Sequence, residues 1–205
     1  MGRNVALVDY GAGNLHSVEN ALRAVGAEVA LTRDPDAVAR AERIVLPGVG
    51  AFKTCADGLA SIDGMAEALE ARVLGEGAPF LGICVGMQLM AEYGVEHGTH
   101  EGLGWVAGSI EALEPSDGVR VPHMGWNTVE PVGPGSLVEP GEAYFLHSYA
   151  YRCGQSPSAV RAVTDHGGEV VAAIQTGSAL GVQFHPEKSQ GYGLALLERF
   201  LEWKP

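Results

Sequence analysis

A cysteine set between two glycines at a strand-to-helix junction is placed to act as a nucleophile, and Gly82-Ile83-Cys84-Val85-Gly86 has that form. The apolar run Pro79–Ile83 before it reads as a strand, and Met87-Gln88-Leu89-Met90-Ala91 after it is good helix material. A side chain on such a turn sits on strained backbone, and flanking glycines relieve the crowding. Backbone N–H groups of the first helical turn favour thiolate over thiol, and the helix dipole acts in the same sense. A cysteine nucleophile also needs a base and a group to orient that base. Gly181-Val182-Gln183-Phe184-His185-Pro186-Glu187 offers both. If the strand Leu180–Phe184 stays extended, His185 and Glu187, two apart, share a side. Pro186 cannot donate to a ladder and marks where the strand leaves the sheet. The imidazole would bond the carboxylate with one nitrogen and face the thiol with the other. A third element, Pro47-Gly48-Val49-Gly50-Ala51-Phe52, follows the end of a third strand. Ligands bind at such strand ends in open α/β sheets, and a glycine-rich loop there can turn N–H groups toward an oxyanion.

Each motif has a plainer reading when taken alone: a buried small hydrophobe, a strand end, a turn. Other candidates keep the plainer reading. Gly11-Ala12-Gly13-Asn14-Leu15-His16 lies where a dinucleotide fingerprint would, but His16 stands where that fingerprint needs Gly or Ala, so a sharp βα turn accounts for both glycines. His97 and His100 have metal-ligand spacing, yet Gly94, Gly98 and Gly102 around them mark a loop of ordinary surface histidines. Cys55 and Cys153 fit packing, since three cysteines far apart with no CxxC spacing suit neither a disulfide framework nor a structural zinc site.

The elements that must position these residues alternate in the first half. Val5–Tyr10, Val29–Thr32, Ile44–Leu46 and Pro79–Ile83 read as short apolar strands. Between them lie helical stretches carrying Leu15, Val18, Leu22 and Val25, then Pro35–Ala41, then about Ile62–Leu74. Continuous apolar strands separated by helices indicate βαβ units and a parallel sheet covered on both faces. After about Trp105 strands follow without helices: Val106–Leu113, Asn127–Val132, Ala143–Arg152, Ala159–Asp165, Val170–Thr176 and Leu180–Phe184, with a hairpin turn at His166-Gly167-Gly168. An amphipathic helix, Gly191–Trp203, closes the chain. The expected architecture is α/β: a mostly parallel central sheet flanked by helices, extended by antiparallel strands in the second half, in one domain over residues 1–205.

Composition narrows the function classes. With 13 Lys plus Arg against 25 Asp plus Glu, the formal charge is −12, and no local basic patch offsets it, so nucleic acid and anionic membrane are poor partners. No run reaches the roughly 18 apolar residues of a membrane helix, and the N-terminus lacks a signal-type core, so a cytoplasmic protein is expected.

Together the elbow cysteine, the distant His-x-Glu and the glycine loop resemble the class I, triad-type glutamine amidotransferases. More narrowly, Tyr10-Gly11-Ala12-Gly13-Asn14-Leu15, the Pro47–Phe52 loop, Gly82–Gln88, Pro122-His123-Met124-Gly125-Trp126-Asn127 and Gln183–Ser189 look like the glutaminase-subunit family of imidazole glycerol phosphate synthases. That resemblance implies a cofactor-free glutaminase in a heterodimer, passing ammonia to a (β/α)8 cyclase subunit for histidine synthesis. Cys84 would attack the glutamine amide, His185 would move protons and Glu187 would orient His185. Val85 N–H, with one from Val49 or Gly50, would form the oxyanion hole. Gly48, Gln88, Glu96, His147, Ser148 and Tyr149 would bind substrate, while Asn14, Lys188 and Ser189 would face the partner. Three alternatives stay open on these residues: a glutaminase serving another synthase, a stand-alone cysteine hydrolase such as a γ-glutamyl peptidase, and a non-catalytic nucleotide-binding module built on the βαβ half.

Overall fold

In a computed structural model, residues 3–115, 119–133, 135–153 and 157–205 are described. The strands are β1 (Asn4–Val8), β2 (Glu28–Thr32), β3 (Arg43–Gly48), β4 (Phe80–Cys84), β5 (Ala91–Gly94), β6 (His100–Glu101), β7 (Val106–Ala112), β8 (His123–Pro131), β9 (Gly141–His147), β10 (Tyr149–Arg152), β11 (Val160–Asp165), β12 (Glu169–Thr176) and β13 (Ala179–Val182). The helices are α1 (Leu15–Ala24), α2 (Pro35–Ala39), α3 (Phe52–Ala60), α4 (Met65–Glu70), α5 (Val85–Gln88) and α6 (Gln190–Glu202). A nine-stranded sheet runs β2-β1-β3-β4-β13-β12-β11-β8-β9, and a four-stranded one runs β10-β7-β5-β6. Pairing is parallel from β2 through β13 and antiparallel from β13 to β9, the division expected between the two halves of the chain.

The strand order reverses about β1, which sends the crossover helices to opposite faces of the sheet under the right-handed rule. Accordingly α1 packs with α6, and α2 with α4. The middle strands are buried on both faces: Ile44, Val45 and Leu46 of β3 and Phe80 and Leu81 of β4 are inaccessible to solvent. This explains their unbroken apolar runs. The register then fixes the site. Gly48 at the end of β3 lies opposite Cys84 at the end of β4, and Ile83 lies opposite Val182 at the end of β13. The three motifs therefore issue from the carboxyl ends of three adjacent parallel strands.

Four local expectations are corrected. The helix after Cys84 stops at Gln88, and Ala91–Gly94 is a strand; Leu103 N–H bonds the Leu89 carbonyl and Val106 N–H bonds the Met90 carbonyl, so sheet pairing overrides helix propensity there. The stretch Ile62–Leu74 is α4 from Met65, continued by a π-helical turn Ala71–Gly75. A helix not read from sequence, α3, buries Phe52, Cys55 and Leu59 on one side; Gly58 interrupts its pattern because a Cβ there would come within 2.6 Å of the Tyr10 carbonyl oxygen. Finally, Ala143–Arg152 is two strands that bend apart at Ser148, β9 pairing with β8 and β10 with β7 in the other sheet.

The tightest contact in this frame is at Gly86, where a Cβ would stand 1.8 Å from the Leu46 carbonyl oxygen of β3. Gly86→Ala is expected to cost about 3 kcal/mol or more in urea unfolding, because backbone must move. Gly191→Ala, in open space at the start of α6, is expected to leave stability unchanged or raise it by less than about 1 kcal/mol.

Candidate active site

Cys84 is the last residue of β4 and the residue before α5. Its backbone has φ 53° and ψ −110°, a conformation that a non-glycine residue holds only when its surroundings enforce it. Those surroundings are the two glycines: a Cβ on Gly82 would come within 2.6 Å of the Gly86 carbonyl oxygen, and Gly86 itself lies against β3. Val85 opens α5, so its N–H is one that the helix leaves without an internal partner.

His185 is held in place through its own backbone. After β13 ends at Val182, His185 N–H donates to the Tyr144 carbonyl of β9 (2.9 Å), and the His185 carbonyl accepts from Ser189 Oγ (2.7 Å). His185 itself is extended, but Pro186–Lys188 forms a 3₁₀ turn. Glu187 thus reaches His185 around a tight turn, not along a continuing strand. Its Oε1 lies 2.8 Å from His185 Nδ1, with both side chains almost wholly buried. Burial is the largest single influence on the imidazole and pulls its pKa down. Hydrogen bonds and charge from Cys84 and Glu187 together outweigh burial and push it up to about 9.

A cleft of about 280 Å³, at the small end for ligand cavities, brings together Cys84, Val85, His185, Val49, Gly50, Gln88, Glu96, His147, Ser148 and Tyr149. Pro122 and Leu146, not singled out from the sequence, also line it. Glu96 Oε2 accepts from Phe52 N–H (2.8 Å), which ties the glycine-loop end to the cleft wall. Gln88 donates from Nε2 to the Tyr149 carbonyl and to Gln183, so only its carbonyl oxygen remains for a ligand.

Three expected site residues stand elsewhere in function or place. Gly48 is buried under the loop, where a Cβ would meet Gly86 N and Tyr10 Oη at 2.7 Å; it makes room for the elbow and does not line the cleft. His147 lines the cleft, but Nδ1 bonds the Tyr149 carbonyl (2.9 Å) and Nε2 bonds His123 Nδ1 (3.0 Å), so neither nitrogen is left to hold a substrate. Burial keeps both rings neutral, with pKa pulled down to about 3 for His147 and about 4 for His123. Ser189 is buried and its hydroxyl bridges the His185 carbonyl and Tyr144 N–H, so it cannot meet a partner. Lys188 Nζ lies 5.9 Å over the Tyr144 ring, and Asn14 is half-buried at the start of α1. The sequence reading missed the exposed face of the β8–β9 pair: Met124 stands opposite Leu146 and Trp126 opposite Tyr144 in the ladder, with Met124, Trp126 and Leu146 exposed. Alternation along β8 could have found it. Among the described residues, no group of three His, Cys, Asp or Glu is arranged to hold a metal ion, and no helix is long and apolar enough to cross a membrane.

The glutamine amidotransferase class-I family model matches residues 6–203. The chain is 54% identical over 206 residues to the imidazole glycerol phosphate synthase subunit HisH of Zymomonas mobilis, covering 98% of this chain and 96% of that protein. It is 48% identical over 220 residues to the subunit of the same name from Rhodopseudomonas palustris, covering 98% and 100%. Among solved structures, a glutamine amidotransferase is similar with TM-score 0.75 and 20% identity over 96% of this chain and 97% of that one. PurLQS from Thermotoga maritima is similar with TM-score 0.72 and 19% identity over 98% of each.

The raised His185 pKa links charge to stability. Between its unfolded value near 6.5 and its folded value of about 9, the folded chain holds a proton that the unfolded chain does not, so stability falls as pH rises through that window. Urea unfolding of the chain and of Glu187→Gln should differ most near about pH 6, and the gap should narrow toward about pH 9.5. A gap that widens with pH would contradict the charge assignment.

Proposed function

Since the chain belongs to the class-I glutamine amidotransferases and, within them, to the HisH subunits of imidazole glycerol phosphate synthase, we propose that Cys84, His185 and Glu187 are the triad with which it hydrolyses glutamine. The function is that of the glutaminase subunit in histidine biosynthesis. The observation that carries the triad is the buried His185–Glu187 pair, whose imidazole shares one small cleft with Cys84.

The reaction divides among these residues as follows. Cys84, as the thiolate, attacks the side-chain amide carbon of glutamine, its proton already resting on His185. Because Nδ1 is held by Glu187, Nε2 is the nitrogen that carries it. Collapse of the tetrahedral intermediate breaks the C–N bond, Nε2–H protonates the departing nitrogen, and ammonia leaves a γ-glutamyl thioester. His185 then takes a proton from water, the resulting attack releases glutamate, and the sulfur regains its starting state. Val85 N–H, with one from Val49 or Gly50, faces the oxyanion. Gln88 through its carbonyl oxygen, Glu96, Ser148 and Tyr149 hold the head group, with His147 bracing the last two. No cofactor takes part.

The ammonia goes to a separate (β/α)8 cyclase subunit in a cytoplasmic heterodimer. The exposed Met124, Trp126 and Leu146 beside the cleft, with Lys188 over Tyr144, support the reading that the partner covers this edge. Residues 1–205 act as one amidotransferase domain. Likeness to HisH proteins over nearly the full length favours this partner over another synthase, and Cys84 at a strained elbow favours catalysis over a passive nucleotide module.

In the assembled synthase, Cys84→Ala should abolish glutamine-dependent product while leaving synthesis from added ammonium salts, since only ammonia release needs the sulfur. Equal loss of both activities, with assembly intact, would overturn the assignment. His185→Ala should reduce glutamine turnover more than Glu187→Gln, because the imidazole moves protons while the carboxylate orients and stabilises it. Steady-state rates with saturating partner check this ranking.

A further inference from the structure

The Tyr149 carbonyl, which can only accept, receives two side chains: Gln88 Nε2 at 3.0 Å and His147 Nδ1 at 2.9 Å. The Gln88 amide must therefore turn its NH₂ end toward Tyr149. That same nitrogen lies 3.1 Å from Gln183 Oε1. Gln183 is fully buried, and with its amide reversed two donors would face each other. Its orientation is thus dictated by a backbone carbonyl two hydrogen bonds away. The consequence is that Gln183 Nε2 points at Cys84 and stands 3.7 Å from Sγ.

The hub is fixed from the other side as well. His147 Nδ1 donates to Tyr149, so neutral His147 accepts at Nε2 from His123 Nδ1–H (3.0 Å). His123 then accepts at Nε2 from Asn127 Nδ2 (3.1 Å), and the Asn127 amide is oriented by Thr128 N–H donating to its Oδ1 (2.8 Å). His123 is stacked between the rings of Phe145 and His166. Every polar end in the series has one permitted assignment, and the series ends on the sulfur.

We propose that Gln183 is a further catalytic residue, donating a hydrogen bond from Nε2 to the Cys84 sulfur and so favouring the thiolate that attacks glutamine. This rests on the reading of Cys84 as the nucleophile. The role differs from that of His185, which accepts and returns a proton: an amide N–H stays protonated throughout, and stabilises sulfur charge only while that charge exists. The hydrogen bond is made to the free sulfur and is weakened in the neutral thioester, so its loss is read most directly on the free enzyme, before the thioester forms.

The test uses the assembled synthase with two substitutions. Gln183→Met keeps the volume without a donor, and Gln183→Glu keeps the shape and the acceptor for Gln88 but sets an oxygen against the sulfur. Glutamine kcat should fall by about tenfold for Gln183→Met, the size of one lost buried hydrogen bond, and further for Gln183→Glu. The glutamine KM should stay within roughly threefold, and ammonium-dependent synthesis should be retained. Alkylation of Cys84 by iodoacetamide near about pH 7, with no glutamine present, should slow by a similar factor, because it reads the thiolate directly. Unchanged alkylation and kcat, a change in KM alone, or loss of ammonium-dependent synthesis would each overturn the proposal. Glutamine turnover that survives Cys84→Ala would instead overturn the underlying reading, so the two failures are distinguishable.

Discussion

The close approach of the elbow to β3 is the constraint on which the site depends. Cys84 holds a backbone conformation that L-residues avoid, and Gly86 sits against the Leu46 carbonyl with no room for a Cβ. Gly48, across the ladder from Cys84, has no room for a Cβ either, which would meet Gly86 N and Tyr10 Oη at 2.7 Å. Strain at a single residue persists only when its neighbours over-determine it, and here the neighbours are backbone atoms of a sheet strand buried on both faces. Tyr10 completes the packing by donating from its hydroxyl to the Pro47 carbonyl at 2.6 Å. The glycine loop, the elbow and the β1 turn therefore form one rigid floor beneath the cleft.

Above that floor, three buried histidines differ in charge for identifiable reasons. His185 has a carboxylate at one nitrogen and the cysteine near it, and these overcome the cost of burial. For His147 the Tyr149 carbonyl favours the charged form, but burial and the neighbouring His123, His166 and His185 outweigh it. For His123 burial and His166 act in the same direction, and both rings stay neutral. The cleft thus sets a charged imidazole, His185, beside a neutral one, His147, which His123 backs as a second fixed polar strut.

The parallel half of the fold was legible in sequence because strands buried on both faces are continuous apolar runs, and Cys84, His185 and Glu187 stood out as candidates because an elbow cysteine and His-Pro-Glu carry local signals. Less was legible where long-range contacts decide. The strand at Ala91–Gly94 follows good helix formers and exists because β7 and the Leu103 segment supply hydrogen bonds. The break at Ser148 lies inside a strand-like run, at the point where the ring of His147 closes on the Tyr149 carbonyl. The same contact takes His147 Nδ1 out of reach of a substrate, although the residue still lines the cleft. Ser189 shows the converse limit: a serine beside a lysine reads as surface, and only the fold reveals that both of its hydrogen bonds lie inward.

Tyr144 sits in the outermost strand of the nine-stranded sheet, with its ring beside Trp126 and beneath Lys188. Its peptide groups, however, are tied to the turn at His185: the carbonyl accepts from His185 N–H, and the amide donates to Ser189 Oγ, which in turn donates to the His185 carbonyl. Three short hydrogen bonds join the rim of the molecule to the backbone of His185. A load applied to the rim is borne by the imidazole's own backbone, with no flexible loop between them to absorb it. His185 is thus held from two sides, by β13 at the sheet centre and by the edge strand, while Cys84 is held by the sheet centre alone. The separation between them is therefore the coordinate along which a bend of this sheet would be felt.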